Sequence, residues 1–134
     1  MKYRHLGNSG LEVSVIGLGT NNFGGRMEFK EAREVIFAAI EEGINLIDTA
    51  NIYSHGNSEE IIGRSLVDRR DEVLIATKFG MLWEEGPHGT GGSRKPIVES
   101  LEGSLRRLQT DYVDLYQMHK QDPDTPIQET LRAL

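Results

Sequence analysis

From Val15 onward, short unbroken apolar runs alternate with longer stretches in which apolar residues recur every three or four positions. Short runs bounded by turn residues predict buried strands, and the helical recurrence predicts amphipathic helices. Val15 to Gly19 predicts a buried strand, followed by a loop from Thr20 to Gly25 whose glycines allow close backbone approach. Ala32, Val35, Ile36, Ala39 and Ile40 predict a helix from about Phe29 to Glu42, stopped by Gly43. Ile44 to Ile47 predicts a second strand ending in Asp48-Thr49-Ala50. A second helix is predicted from about Ser58, with Asn57 and Glu60 spaced as a capping box and Ile61, Ile62 and Leu66 as its apolar face. Val73 to Thr77 predicts a third strand that delivers Lys78, and Phe79 to Lys95, with five glycines and a proline, a long flexible loop. Pro96 marks the start of a third helix with Ile97, Val98, Leu101, Leu105 and Leu108 on one stripe. Asp111 to Met118 predicts a fourth strand that delivers His119, and Thr125-Pro126-Ile127-Gln128 a fourth helix with Thr125 as its cap. In front of this array, Tyr3 to Leu6 and Leu11 to Ser14 around Gly7-Asn8-Ser9-Gly10 predict a small hairpin.

Strands alternating with helices give an α/β chain with a parallel sheet and crossover helices. The expected organisation is one domain over residues 1–134, hairpin 1–14 and βα units 15–134, with four parallel strands. Four strands cannot close a barrel, and a complete (β/α)8 barrel runs to about 250 residues. Two open edges and one bare apolar sheet face are therefore expected, to be covered by self-association or by a second half-barrel.

Composition removes several classes of partner. The net charge of -6 and the lack of any long Lys/Arg block argue against nucleic acid or an anionic membrane surface. The pairs Arg69-Arg70 and Arg106-Arg107 read as solvated helix ends. Without cysteine there are no disulfides and no thiolate metal sites, and no apolar run approaches the roughly 18 residues of a membrane span, so a cytoplasmic chain is expected. No metal site is expected, since no two histidines stand at ligand spacing. His5 reads as structural, and His55 and His88 as solvated, His55 being the one placed to line a substrate mouth. Met81 and Trp83 either meet an apolar substrate or fold their loop on itself. Asp114 is expected to pair with a basic side chain of a neighbouring element.

Asp48, Tyr53, Lys78 and His119 stand at or just past the ends of successive strands, which in a parallel array share one rim. Strand alternation puts Asp48 on the face of Leu46, Lys78 on that of Ala76 and Leu74, and His119 on that of Gln117 and Leu115. Pairing Asp48 with Lys78 offsets the cost of desolvating either charge. A phenol ionises near pH ~10, too high for a ready acid, and a neighbouring ammonium lowers that value. Tyr53 beside Lys78, with His119 donating to a carbonyl oxygen, then suits carbonyl reduction.

These residues lie in motifs that resemble the aldo-keto reductase family: Gly17-Leu18-Gly19-Thr20, Asp48-Thr49-Ala50 with Tyr53, Ser58-Glu59 and Gly63, Thr77-Lys78, Leu101 with Ser104-Leu105 and Arg107-Leu108, and Asp111 to Tyr116 leading to His119. The resemblance covers nearly the whole chain and implies the N-terminal half of a (β/α)8 barrel. It implies NADPH-dependent reduction of aldehydes and ketones, with NADH as an alternative donor and a small carbonyl compound as substrate. Tyr53 is then the proton donor, Asp48 and Lys78 tune it, His119 orients the carbonyl, and Gly19, Thr20, Asn21 and Asp48 lie beside the cofactor. Asp122 to Pro126 and Tyr3 to Gly7 look closest to the bacterial and channel-subunit-like branches, which leaves a non-catalytic binding or assembly module as the alternative. In one departure, Ser54-His55 stands before Gly56 where the family often has glycine directly after the tyrosine, and a changed loop conformation is expected.

Overall fold

The computed structural model describes residues 1–81, 83, 85–86 and 89–134. β1 (Tyr3–His5) and β2 (Glu12–Ser14) form an antiparallel hairpin. A separate parallel sheet follows in the order β3 (Leu18–Gly19), β4 (Leu46–Asp48), β5 (Leu74–Phe79) and β6 (Leu115–Met118). Between and after these strands run α1 (Phe29–Glu41), α2 (Asn57–Ser65), α3 (Arg94–Leu108) and α4 (Ile127–Ala133). No helix among the described residues is long and apolar enough to cross a membrane.

The helices cover one face of the sheet. Ile47, Ile75, from α1 and α2 Ala32, Ile36, Ile61 and Ile62, and Leu66 just past α2 form a buried core closed by Leu108 of α3. On the opposite face Leu46, Leu74 and Leu115 remain half-buried, and β3 and β6 are open edges, as the strand count led one to expect. Removing such surface from water is favourable by about 25 cal/mol per Å2, so this face favours a covering layer.

Several local expectations are corrected. Val15 and Ile16 are 47% and 57% exposed, because the Val15 N–H donates to Lys2 O and prolongs the hairpin instead of entering the parallel sheet. The fourth strand starts at Leu115, not Asp111: the Asp114 carboxylate accepts the Ile75 N–H at 2.8 Å, taking a place that a regular ladder would give to backbone. α2 begins at Asn57 behind a left-handed Gly56, so the Asn57/Glu60 box does not form. A capping box forms instead on α1, between Glu28 and Glu31. Pro96 lies in the first turn of α3, two residues inside its start, where a missing N–H costs nothing. The buried stripe of α3 is Pro96, Ile97, Gly103, Ser104 and Leu108, while Val98, Leu101 and Leu105 are half-buried. Thr125 does not cap α4, since its hydroxyl donates to Asp122 Oδ2 at 2.7 Å.

The two arginine pairs are not plain solvated ends. Arg69 bridges Glu41 and Glu72 near the surface, but Arg70 pairs with Asp114 at 2.8 Å, which meets the expectation for Asp114. Arg107 pairs at 2.8 Å with Glu59, whose side chain is fully buried.

α2 and α3 meet at Gly63, where a Cβ would lie 2.5 Å from Arg107 O and 2.6 Å from the Leu108 carbonyl carbon. Alanine in a helix interior is normally better than glycine by about 1 kcal/mol. Overpacking against rigid backbone costs about 1–3 kcal/mol. The second effect wins here, so Gly63→Ala is expected to lower the urea midpoint of unfolding, and a raised midpoint would contradict this helix contact.

Candidate active site

The sheet register assembles the rim. Gly19 pairs with Asp48, Asp48 with Ala76, and Lys78 with Gln117, so the chemistry-bearing ends of β4 and β5 stand side by side on one face. Past the end of β4 the backbone keeps pairing with β5: the Thr49 N–H donates to Ala76 O at 2.9 Å and the Asn51 N–H to Lys78 O at 3.2 Å. The chain then turns, with the Tyr53 N–H on Ala50 O, and this brings the phenol ring back over Lys78. His119 follows β6 directly and continues its pairing, its N–H donating to Phe79 O at 2.7 Å.

All four polar side chains converge. Lys78 Nζ donates to Asp48 Oδ2 at 2.6 Å and to Thr49 O at 2.8 Å, and the lysine side chain is only 12% exposed. Its Nζ lies 5.2 Å from the centre of the Tyr53 ring. The Tyr53 and His119 rings stand edge to face, centroids 5.7 Å apart. Burial, and next the Lys78 charge, hold the imidazole of His119 below its ordinary pKa, against an opposite pull from Asp48. A neutral imidazole beside an ammonium follows at neutral pH.

Two buried polar atoms lack a hydrogen-bond partner among the described residues, Asn51 Oδ1 and His119 Nδ1. Both belong to the segments that build the rim. Orphans of this kind are uncommon in a finished interior and cluster where a further group is to be met.

Of the residues expected beside a cofactor, Gly19 and Asn21 are exposed and Thr20 is 1% exposed. A Cβ at Gly19 would meet no atom within 4 Å, so open space stands next to Asp48. Thr20 faces inward. Its N–H and hydroxyl both donate to Asp48 O, and its carbonyl and hydroxyl accept from the Ser58 hydroxyl, which also meets Thr49 Oγ1 at 2.9 Å. This buried hydroxyl cluster fixes the ends of β3 and β4 and the start of α2 to one another.

The turn after Tyr53 is unusual. Ser54 and His55 have φ of 49° and 51°, followed by Gly56 at 90°. Two side-chain-bearing residues thus stand in the left-handed region, each costing roughly 1–2 kcal/mol. His55 is exposed, as is His5, and His88 lies outside the described residues. Trp83 stacks on Arg107 of α3, ring centre to guanidinium carbon 4.8 Å.

Sequence reading missed the hydroxyl cluster and the Glu59 network, in which buried Glu59 accepts from Thr77 Oγ1 and Arg107 Nε. One signal was present. Glu59 stands three residues before Ile62 and seven before Leu66, on the apolar stripe of α2, where an unpaired carboxylate is not tolerated.

The lowered pKa of His119 has a stability consequence. Between the unfolded value of about 6.5 and the lower folded one, the unfolded chain binds more protons, so stability falls as pH drops through that window. His119→Gln is expected to flatten that decline in urea unfolding as pH falls below about 6.5. An unchanged slope would show that the imidazole is not held neutral.

The Aldo/keto reductase family profile matches residues 15–134. The Bacillus subtilis aldo-keto reductase YhdN is 45% identical over 140 residues, covering 100% of this chain and 42% of its own length. A rice protein named "Probable voltage-gated potassium channel subunit beta" is 43% identical over 139 residues with the same coverages. Among solved structures, the holo form of aldo-keto reductase AKR11C1 from Bacillus halodurans superposes with a TM-score of 0.89 at 43% identity, over 99% of this chain and 45% of that one. The chain thus spans less than half the length of these relatives, and its sheet and helices correspond to the N-terminal half of their (β/α)8 barrel.

Proposed function

The chain belongs to the aldo/keto reductase family of oxidoreductases, and from that premise we propose that it supplies the acid-base half of a cytoplasmic, NAD(P)H-dependent reductase of small aldehydes and ketones. The observation that carries the reading is the contact of Lys78 Nζ with Asp48 Oδ2 at 2.6 Å, beneath a tyrosine ring that meets His119 edge to face.

A carbonyl oxygen entering between Tyr53 and His119 accepts hydrogen bonds from the phenol and the imidazole, which draws electron density from its carbon. A reduced nicotinamide, when bound, supplies hydride to that carbon. Tyr53 gives its proton to the oxygen, so the C=O π bond is replaced by one C–H and one O–H bond. The negative charge left on the phenolate faces the Lys78 ammonium, and Asp48 with Thr49 O keeps that ammonium in place. His119, held neutral, orients the oxygen without competing as an acid.

Residues present here fit the nicotinamide end of such a cofactor: open space at Gly19, exposed Asn21 beside it and the half-buried carboxylate of Asp48. Thr20 contributes by fixing the height of Gly19 and Asn21, since its own polar groups are engaged within the fold. We assign NADPH as the usual donor with NADH accepted. The bare sheet face and the two open edges are covered by a second half-barrel, which completes the cofactor site. A second reading, favoured by the likeness to the rice protein, is an assembly module that retains the fold without turnover.

Joining this chain to the remainder of the Bacillus subtilis relative makes a closed barrel for the test. It is expected to reduce aldehydes with NADPH, and Tyr53→Phe to cut kcat by a factor of about 100 or more while cofactor fluorescence quenching persists. Undiminished turnover in Tyr53→Phe would overturn the donor assignment. A wild-type barrel that binds NADPH without turnover would favour the assembly reading.

A further inference from the structure

We infer that Arg107, on α3 and outside the acid-base group, is a positioning residue for Tyr53; the inference rests on Tyr53 as the proton donor. Tyr53 opens the turn whose next residues, Ser54 and His55, hold left-handed conformations that their side chains disfavour. Such conformations persist only where the surroundings enforce them. Part of the enforcement is local, since a Cβ on Gly25 would lie 2.9 Å from Ser54 Oγ and one on Gly24 2.4 Å from Asn57 Cβ.

The rest comes from Arg107. Its Cδ and Nε stand 2.6 and 2.9 Å from the place a Gly56 Cβ would take, so the arginine stem lies flat against the residue that closes the left-handed run. Trp83 backs the same contact, with its Cη2 3.3 Å from that point and its ring over the guanidinium. The guanidinium is itself fixed. Nε donates to Glu59 Oε2 at 2.8 Å and one terminal nitrogen reaches Ser104 Oγ at 3.4 Å. The other oxygen of Glu59 accepts from Thr77 Oγ1, and Thr77 directly precedes Lys78 on β5.

A buried Arg-Glu pair adds little net stability, because the desolvation of both ions offsets their attraction. What this pair supplies is geometry. Through Thr77, Glu59, Arg107 and Gly56, the strand that carries the ammonium is tied to the turn that carries the phenol. Removing the arginine side chain opens the wall behind Gly56 and lets Ser54 and His55 relax to right-handed backbone, which swings the Tyr53 ring away from His119.

Cross-ring NOEs between Tyr53 and His119 in the isotope-labelled closed barrel, joined as for the activity test, read this directly. Arg107→Ala is expected to lose them while the His119 amide stays protected from exchange, and Arg107→Lys, which keeps stem and charge, to recover them in part. NOEs at wild-type intensity in folded Arg107→Ala overturn the proposal. Should that variant fail to fold, Arg107→Ala combined with Glu59→Gln, which removes the stem without leaving a buried carboxylate unpaired, is read with the same two outcomes. The NOEs report where the ring sits whether or not the phenol donates a proton, so failure here is distinct from failure of the Tyr53→Phe test.

Discussion

The contact of Lys78 with Asp48 is the constraint from which the rim follows. An ammonium drawn out of water loses several kcal/mol of hydration unless it is matched by charge and hydrogen bonds. Lys78 is matched by a carboxylate on the neighbouring strand and by the carbonyl of Thr49. Those partners exist at that height only because Asp48 is in register with Ala76, two residues below Lys78 on the same face. A slip of one residue would turn Asp48 into the helix layer and leave the lysine unpaired. The ion pair therefore ties β4 to β5 at the level where Tyr53 and His119 are presented.

The helix layer holds that level from behind. Its apolar core supplies most of the favourable free energy, whereas two polar clusters supply position. The hydroxyls of Thr20, Ser58 and Thr49 lock β3, β4 and the start of α2 beneath the rim. Glu59, Thr77 and Arg107 join α2, β5 and α3. The opposite sheet face is half-bare, and His119 Nδ1 is left without a partner among the described residues.

Much of this was legible in the sequence. Periodicity located β4 to β6 and α1 to α3 because each has an apolar face, turn and cap residues located the hairpin and α4, whose Ile127 and Leu131 are exposed, and strand parity placed Asp48, Lys78 and His119 on one face. Element ends were legible only where backbone chemistry decided them. Gly43 stops α1 as expected, but α2 starts behind a left-handed glycine and β6 gives up its first residues to the Asp114 carboxylate, and neither is a matter of local propensity. The buried Glu59-Arg107 pair was hidden for a related reason. Its partners are 48 positions apart, and Arg106-Arg107 looks from sequence like any solvated basic helix end. Thr20 shows the same limit, since its buried bonds to Asp48 and Ser58 leave no local mark in the sequence.

A double-mutant cycle on kcat/KM in the closed barrel, with Asp48→Asn, Lys78→Met and the pair together, tests most directly whether these groups act as one acid-base unit. The account predicts strong non-additivity, the double variant being no slower than the slower single one. Losses that simply add would contradict it, and would mean that Asp48 and Lys78 contribute separately rather than through the contact between them.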